Sequence, residues 1–320
     1  MNNTTVLLSN ISTKYQFVIL NQSIARNYEE LTYPYFRWIL QYFTIEAPII
    51  GIGVELGQEP IGLILARYNQ FPEENKLYGE ILSWFVVPSY RRQGIGKELL
   101  ARIEQELQKR GCNKITINYL SSFNTPFIEK ILARQNWLTP ETKALVCYAT
   151  TANVENTKKP HLTQYLDRLL SHLPHDYTIF PWYTLTPEER EIIEQEIHTN
   201  PLVRKFNPFW DETQLEPLNS LGLRYRDRVV GWVITHRIAP DTIRYTQMFV
   251  YPDTQPLSRS ILLLAKAIQL QVEAQQATKG TFRVDMDNKP MVKFVYRRLA
   301  PYLDEIRKAW QVSKCLDSQQ

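Results

Sequence analysis

Hydrophobic and polar positions along this chain switch between two periods, and the switches mark its elements. YQFVIL (15–20) is a short apolar run that predicts a first strand, and the aromatic-rich stretch between Ser23 and Phe43 predicts two helical segments. IIGIGVEL (49–56), IGLILARY (61–68) and KLYGEILSWFVV (76–87) are separated by short turns and predict three antiparallel strands. Apolar residues then recur at helical spacing (Ile95, Leu99, Leu100, Ile103, Leu107), and Gly111 stands where a helix C-cap belongs. A strand at KITINYL (114–120), a helix over 124–137 and a last strand at KALVCYAT (143–150) follow. The result is an antiparallel meander carrying one strand–helix–strand crossover, hence a mixed sheet with helices on its faces.

The polar TTANVENTKKP (150–160) has no periodicity and predicts a domain boundary, with a bridging helix at HLTQYLDRLLSHL (161–173) beyond it. The second half then repeats the order. It has a strand at YTIFPWY, a helix at PEEREIIEQEI, strands at LGLRYRD, VVGWVITHRI and TIRYTQMFVYP, a long helix from Leu257, a strand at TFRVDM and a helix at NKPMVKFVYRRL. FVVPSYRRQGIGKELLA (85–101) lies without a gap over FVYPDTQPLSRSILLLA (249–265), an offset of 164 residues. The same offset carries Asn124, Pro126 and Arg134 onto Asn288, Pro290 and Arg298. One offset held across a loop, a helix, a strand and a second helix marks the duplication of a whole domain. The expected division is 1–152 for the first domain, 153–176 for linker and bridging helix, and 177–320 for the second.

Composition agrees with two globular domains: 320 residues exceed one ordinary core, and 44% hydrophobic with 22% charged residues excludes a disordered chain. The net charge of +4 is spread among interleaved acids and bases, which argues against a nucleic-acid binder. Cys112, Cys147 and Cys315 are odd in number and without metal spacing, so neither a disulfide framework nor a metal site is expected. No signal-like start and no apolar run of membrane length occur, and the expectation is a cytoplasmic protein away from membranes.

Chemistry concentrates at VVPSYRRQGIGKELL (86–100). Backbone N–H groups at a helix N-terminus hold phosphate well, glycines let that backbone approach, and arginines add charge-assisted hydrogen bonds. No Gly-Lys-Ser/Thr follows, so this is not a Walker loop, and the Rossmann spacing is absent. Arg91, Arg92, Gln93, Gly94, Ile95 and Gly96, after a strand ending Phe85-Val86-Val87-Pro88, resemble the signature of the GNAT N-acetyltransferases. The resemblance covers most of residues 15–150.

What the resemblance implies is an α+β fold of two GNAT-like domains, each a mostly antiparallel mixed sheet with helices on both faces. It implies an acetyl-CoA-dependent N-acetyltransferase whose acceptor is a small-molecule amine. The amides of Arg92 through Lys97 would clasp the pyrophosphate of coenzyme A, the backbone of Trp84, Phe85 and Val86 would pair with the pantetheine arm, and Asn124 would touch that arm or cap its helix. Glu80 stands where many members carry a general base, and strand alternation aims it with Leu82, Trp84 and Val86, in apolar surroundings that raise a carboxyl pKa. The family's acid position, four residues before Asn136, holds Leu132, which has no proton to give; Tyr119 is the candidate substitute. In the second copy Arg244 replaces Glu80, both loop glycines are gone and Tyr296 falls on Leu132, so it reads as degenerate. Two alternatives stand beside the transferase: an acyl-CoA-binding regulator, and a protein or peptide acetyltransferase. Trp182, Trp210 and Trp232 read either as core or as the lining of a pocket in the second half.

Overall fold

The computed structural model describes residues 14–44, 46–71, 76–156, 168, 170–171, 173–252 and 256–316. In chain order the elements are β1 (Gln16–Ile19), 3₁₀ turns at Ala25–Leu31 and Pro34–Phe36, α1 (Arg37–Gln41), β2 (Ile49–Leu56), β3 (Glu59–Phe71) and β4 (Lys76–Val86). Next come α2 (Ile95–Lys109), β5 (Cys112–Leu120), α3 (Thr125–Arg134), β6 (Glu141–Thr150) and α4 (Thr151–Asn156). The remainder holds β7 (Tyr177–Pro181), α5 (Pro187–Thr199), α6 (Pro201–Lys205), β8 (Leu221–Tyr225), β9 (Arg228–Ala239), β10 (Thr242–Val250), α7 (Pro256–Ala274), β11 (Lys279–Asp285), α8 (Lys289–Phe294) and β12 (Glu305–Cys315). Most of the expected bridging helix and loop positions 253–255 lie outside the described residues.

The chain forms two compact units, one reaching Thr142 and resuming at Ala309, the other Lys143–Lys308. In the first, β1 to β4 are antiparallel neighbours, β4 runs parallel to β5, and the far side of β5 pairs antiparallel with Ala309–Cys315 of β12. α2 covers one face because its apolar stripe, Ile95, Leu99, Leu100, Ile103 and Leu107, is fully buried. At roughly 1.5–3 kcal/mol for each buried aliphatic side chain, that stripe is the main force holding the helix to the sheet. Gly94, left-handed at φ +87°, starts α2, and Gly111, at φ +84°, follows its end. The other face carries the 3₁₀ turns and α1, through Ala25, Tyr28, Ile39 and Leu40 against Leu63 and Leu65.

The second unit repeats this layout. β7 to β10 are antiparallel, β10 runs parallel to β11, and β6 pairs with the far side of β11. Equivalent details recur at the 164-residue offset. β4 and β10 end at Val86 and Val250, and left-handed residues follow the long helices at Gly111 and Gln275.

Two expectations about boundaries are corrected. The strand over 143–150, read as the close of the first domain, pairs with β11 in the second unit, and the stretch read as a linker begins with α4. The sequence reading has no element after Leu299, whereas Glu305–Cys315 is a strand that completes the first sheet. At the repeat offset β6 and β12 are equivalent, so each sheet is closed by the other copy's last strand. Either strand presents the same alternation to the same kind of open edge, and local pattern cannot say which edge it joins.

Candidate active site

The signature loop is a row of unused donors. Among the described residues the N–H groups of Arg92, Gln93, Gly94, Ile95, Gly96 and Lys97 have no hydrogen-bond partner; the first helical bond runs from Glu98 N–H to Gly94 C=O. A helix start leaves about four such donors. Here the left-handed conformations of Arg92 (φ +62°) and Gly94 (φ +87°) extend the row into the preceding turn. The loop is tied in place by Tyr15 Oη donating to Gln93 Oε1 and by Arg91 Nε donating to Val86 C=O at 2.9 Å. Arg91 lies over the Phe85 ring, Arg92 over Phe127, and Arg91, Arg92 and Lys97 are exposed, so the row faces outward in a cationic setting. These are the donors and the charge that a diphosphate needs.

Beside the loop the sheet opens. β4 and β5 pair only as far as Ile81 and Ile117, although β4 continues to Val86 and β5 to Leu120. Past that point Trp84, Phe85 and Val86 pair with β3 on one side and, among the described residues, with no strand on the other. The pairing with β3 also skips Leu82, a bulge that resets the alternation of β4.

That bulge corrects the expected facing of Glu80. Glu80, opposite Arg67, shares a face with Ser83 and Phe85, opposite Leu65 and Leu63; Trp84 and Val86 turn to the α2 side with Ile81. Nor is the seat of Glu80 apolar. Its Oε2 accepts from Arg67 Nε at 2.8 Å and Nη2 at 2.6 Å, and its Oε1 accepts from Asn118 Nδ2 at 2.9 Å. Neither Arg67 nor Asn118 was singled out from the sequence, although Asn118 is one residue from Tyr119, which was.

Tyr119 lies on the opposite face from Glu80, two residues beyond the last β4–β5 pair. Its Oη donates to Glu129 Oε1 at 3.1 Å. Burial, followed by the charge of Glu129 and the hydrogen bond to it, raises the pKa of the phenol well above its ordinary value, so the proton stays on the oxygen at neutral pH.

Asn124 starts α3, but its side chain makes no capping bond and is exposed. Its counterpart Asn288 does cap, accepting from Met291 N–H at 3.3 Å. The first copy thus leaves free a group that the second spends on the helix. Leu132 is 1% exposed in the core, whereas its counterpart Tyr296 is half exposed. The exposed rings of Phe123 and Phe127, 6.2 Å apart beside Asn124 and under Arg92, belong to this surface and were not flagged in the sequence. In the second unit Trp182 and Trp232 are core, and Trp210 is exposed beside His236. Among the described residues no cluster of His, Cys, Asp and Glu suits a metal ion, and no helix is long and apolar enough to cross a membrane.

Residues 15–129 match the acetyltransferase (GNAT) family. The chain is similar in fold to a tandem GNAT protein from the clavulanic acid biosynthesis pathway, with a TM-score of 0.65 and 14% identity, covering 96% of this chain and 100% of the other. A GCN5-related N-acetyltransferase from Sphaerobacter thermophilus gives 0.61 and 13%, covering 95% and 96%. A glucosamine N-acetyltransferase region of a fungal multi-domain GH3 beta-N-acetylglucosaminidase gives 0.54 and 12%, covering 93% of this chain and 38% of that one. No curated protein matches the sequence. Residues 15–129 thus match the acetyltransferase (GNAT) family, and the chain has a tandem GNAT fold.

Proposed function

We propose that this chain transfers the acetyl group of acetyl-CoA to a primary amine of a small molecule, and that the first unit carries the site. The observation that carries the reading is the row of unpartnered amides from Arg92 to Lys97 at the opening between β4 and β5. These amides, with Arg91 and Arg92, hold the diphosphate; the free edge of Trp84, Phe85 and Val86 and the side chain of Asn124 hold the arm beyond it. When bound, acetyl-CoA supplies an activated acyl group.

Glu80 is the base in this reading. Arg67 and Asn118 fix its carboxylate, and Glu80 accepts the proton that an attacking amine must lose. Tyr119, holding its proton on the other face of the opening, is the chain's own candidate donor. On the face that carries Glu80, the segment from Tyr33 to Tyr42 presents Tyr33, Tyr35, Trp38 and Tyr42 to solvent, an aromatic surface suited to a small acceptor.

A second reading, acyl-CoA binding without efficient transfer, is favoured by one observation: Leu132 fills the core where the family places its acid. Two measurements separate them. Gly94→Val puts a β-branched residue at φ +87° and is expected to weaken acetyl-CoA binding about tenfold or more. Binding equal to the parent's would overturn the site. Thiol release with a panel of small amines then decides between enzyme and binder: amine-dependent turnover is expected, and tight binding without it selects the second reading.

A further inference from the structure

In the second unit the ends of β10 and β11 diverge as β4 and β5 do, pairing only as far as Tyr245 and Phe282. Between them lies a cavity of about 430 Å³. That is within the ~300–1,000 Å³ of small-molecule sites and roughly three times the apolar cavity that accepts benzene. Its interior is apolar, with Val233, Met248, Leu264, Ile268, Val272 and Phe282 among its walls.

The polar groups of the wall are mostly spent on neighbours. Tyr245 Oη donates to Gln271 Oε1 at 2.7 Å and accepts from Asn219 Nδ2 at 3.2 Å. Gln271 Nε2 donates to the carbonyls of Ala277 and Lys279 at 2.8 and 3.0 Å. Thr246 Oγ1 sits 2.7 Å from His236 Nδ1. Gln247 is the exception. This residue follows the second unit's own bulge, where pairing with β9 skips Thr246, and its Oε1 is buried without a hydrogen-bond partner. Buried acceptors are rarely left so, and a turn of the Gln247 amide toward the cavity that this residue lines would let a ligand N–H or O–H satisfy this one.

Charge sets what else the ligand is. The charged residues of the lining, Lys205, Arg283, Asp285 and Asp287, are exposed, and Arg283 pairs with Asp285 at 3.0 Å, so no charged group waits in the interior. The segment aligned with the phosphate loop has no glycine, and Pro256, standing at the place of Arg92, has no N–H. We propose that the second unit binds an uncharged, largely apolar small molecule carrying one N–H or O–H donor, seated between β10 and β11 with that donor on Gln247, and that coenzyme A does not compete for the place. The duplicated sheet keeps its opening, the segment aligned with the phosphate loop lacks the glycines, and the walls of the opening are apolar. This holds whether or not the first unit transfers acetyl groups.

The test uses the full chain and N-phenyl-1-naphthylamine, an uncharged fluorescent amine with one N–H, against its N-methyl analogue, which has none. The expected result is saturable 1:1 binding unaffected by excess coenzyme A, with the N–H probe preferred by about fivefold, the worth of one hydrogen bond. Ile268→Trp or Leu264→Trp fills the cavity and is expected to weaken both probes about tenfold or more. Gln247→Leu is expected to abolish the preference between probes while keeping the affinity of the N-methyl analogue. Absence of saturable binding, displacement by coenzyme A, or undiminished affinity in a folded Ile268→Trp or Leu264→Trp protein overturns the proposal. If both tryptophan variants fail to fold, Gln247→Leu decides, and a preference that survives in it overturns the proposal too.

Discussion

Replacing Glu80 by Gln separates a structural role from a chemical one, because the two differ in size. Structurally, Glu80 gives up an ion pair to Arg67 whose side chains are 29% and 51% exposed. Pairs this open to solvent are worth about 0–1 kcal/mol, so the melting temperature should move by no more than ~4 °C. The hydrogen bond from Asn118 survives, since the glutamine carbonyl still accepts it. Chemically, loss of a general base costs ~10²–10⁴ in kcat, or roughly 2.7–5.4 kcal/mol of barrier. Steady-state turnover of acetyl-CoA with an accepted amine, beside thermal unfolding of the same preparation, reads both quantities. The expected result is a large fall in kcat, an unchanged affinity for acetyl-CoA and a nearly unchanged melting temperature. A kcat within about threefold of the parent's refutes the base assignment. A fall matched by lost acetyl-CoA affinity would instead make Glu80 a positioning residue for the opening between β4 and β5.

Lys314→Met leaves the buried Glu104 carboxylate with only Trp137 Nε1, at 2.7 Å, as partner, and is expected to cost about 3 kcal/mol, roughly 6–12 °C in melting temperature. Adding Glu104→Leu should restore at least half of that, and a single-variant shift below ~2 °C refutes the pairing. Gly222→Ala would set a Cβ 2.2 Å from the Phe180 ring and is expected to destabilise by ~1–3 kcal/mol, whereas Gly96→Ala, with Trp84 at 3.6 Å, should be neutral or stabilising by up to ~1 kcal/mol in the same denaturant titration. The hydrogen bond from Arg224 holds the Glu189 carboxyl below its ordinary 4.5. A depressed carboxyl contributes stability above its unfolded value and loses it as pH falls through the folded one, so the unfolding free energy should decline below about pH 4.5. Glu189→Gln should flatten that decline.

Much of the fold, and the local geometry of the candidate site's loop, was legible in the sequence. The strand meander, the helix over Ile95–Lys109 and the duplication follow from periodicity and a fixed offset, because a strand or helix shows its buried face within a few residues. The loop was legible too: glycine is the residue that adopts φ +87° without strain, and its position before a helical pattern is a local fact. What was missed depends on partners far along the chain. The skip at Leu82 exists only in the pairing with β3, yet it decides which face Glu80 shares, and with it that Arg67 and Asn118 hold the carboxylate. The exchange of β6 and β12 was invisible for the same reason, since equivalent strands carry equivalent patterns and only assembly of the two sheets chooses between their edges. By itself the sequence determined the elements, the repeat and the glycine turn before the helix, which local chemistry dictates. The tertiary structure alone decided where the units divide, what surrounds Glu80 and that the second unit holds a cavity, because each depends on segments that meet only when the chain has folded.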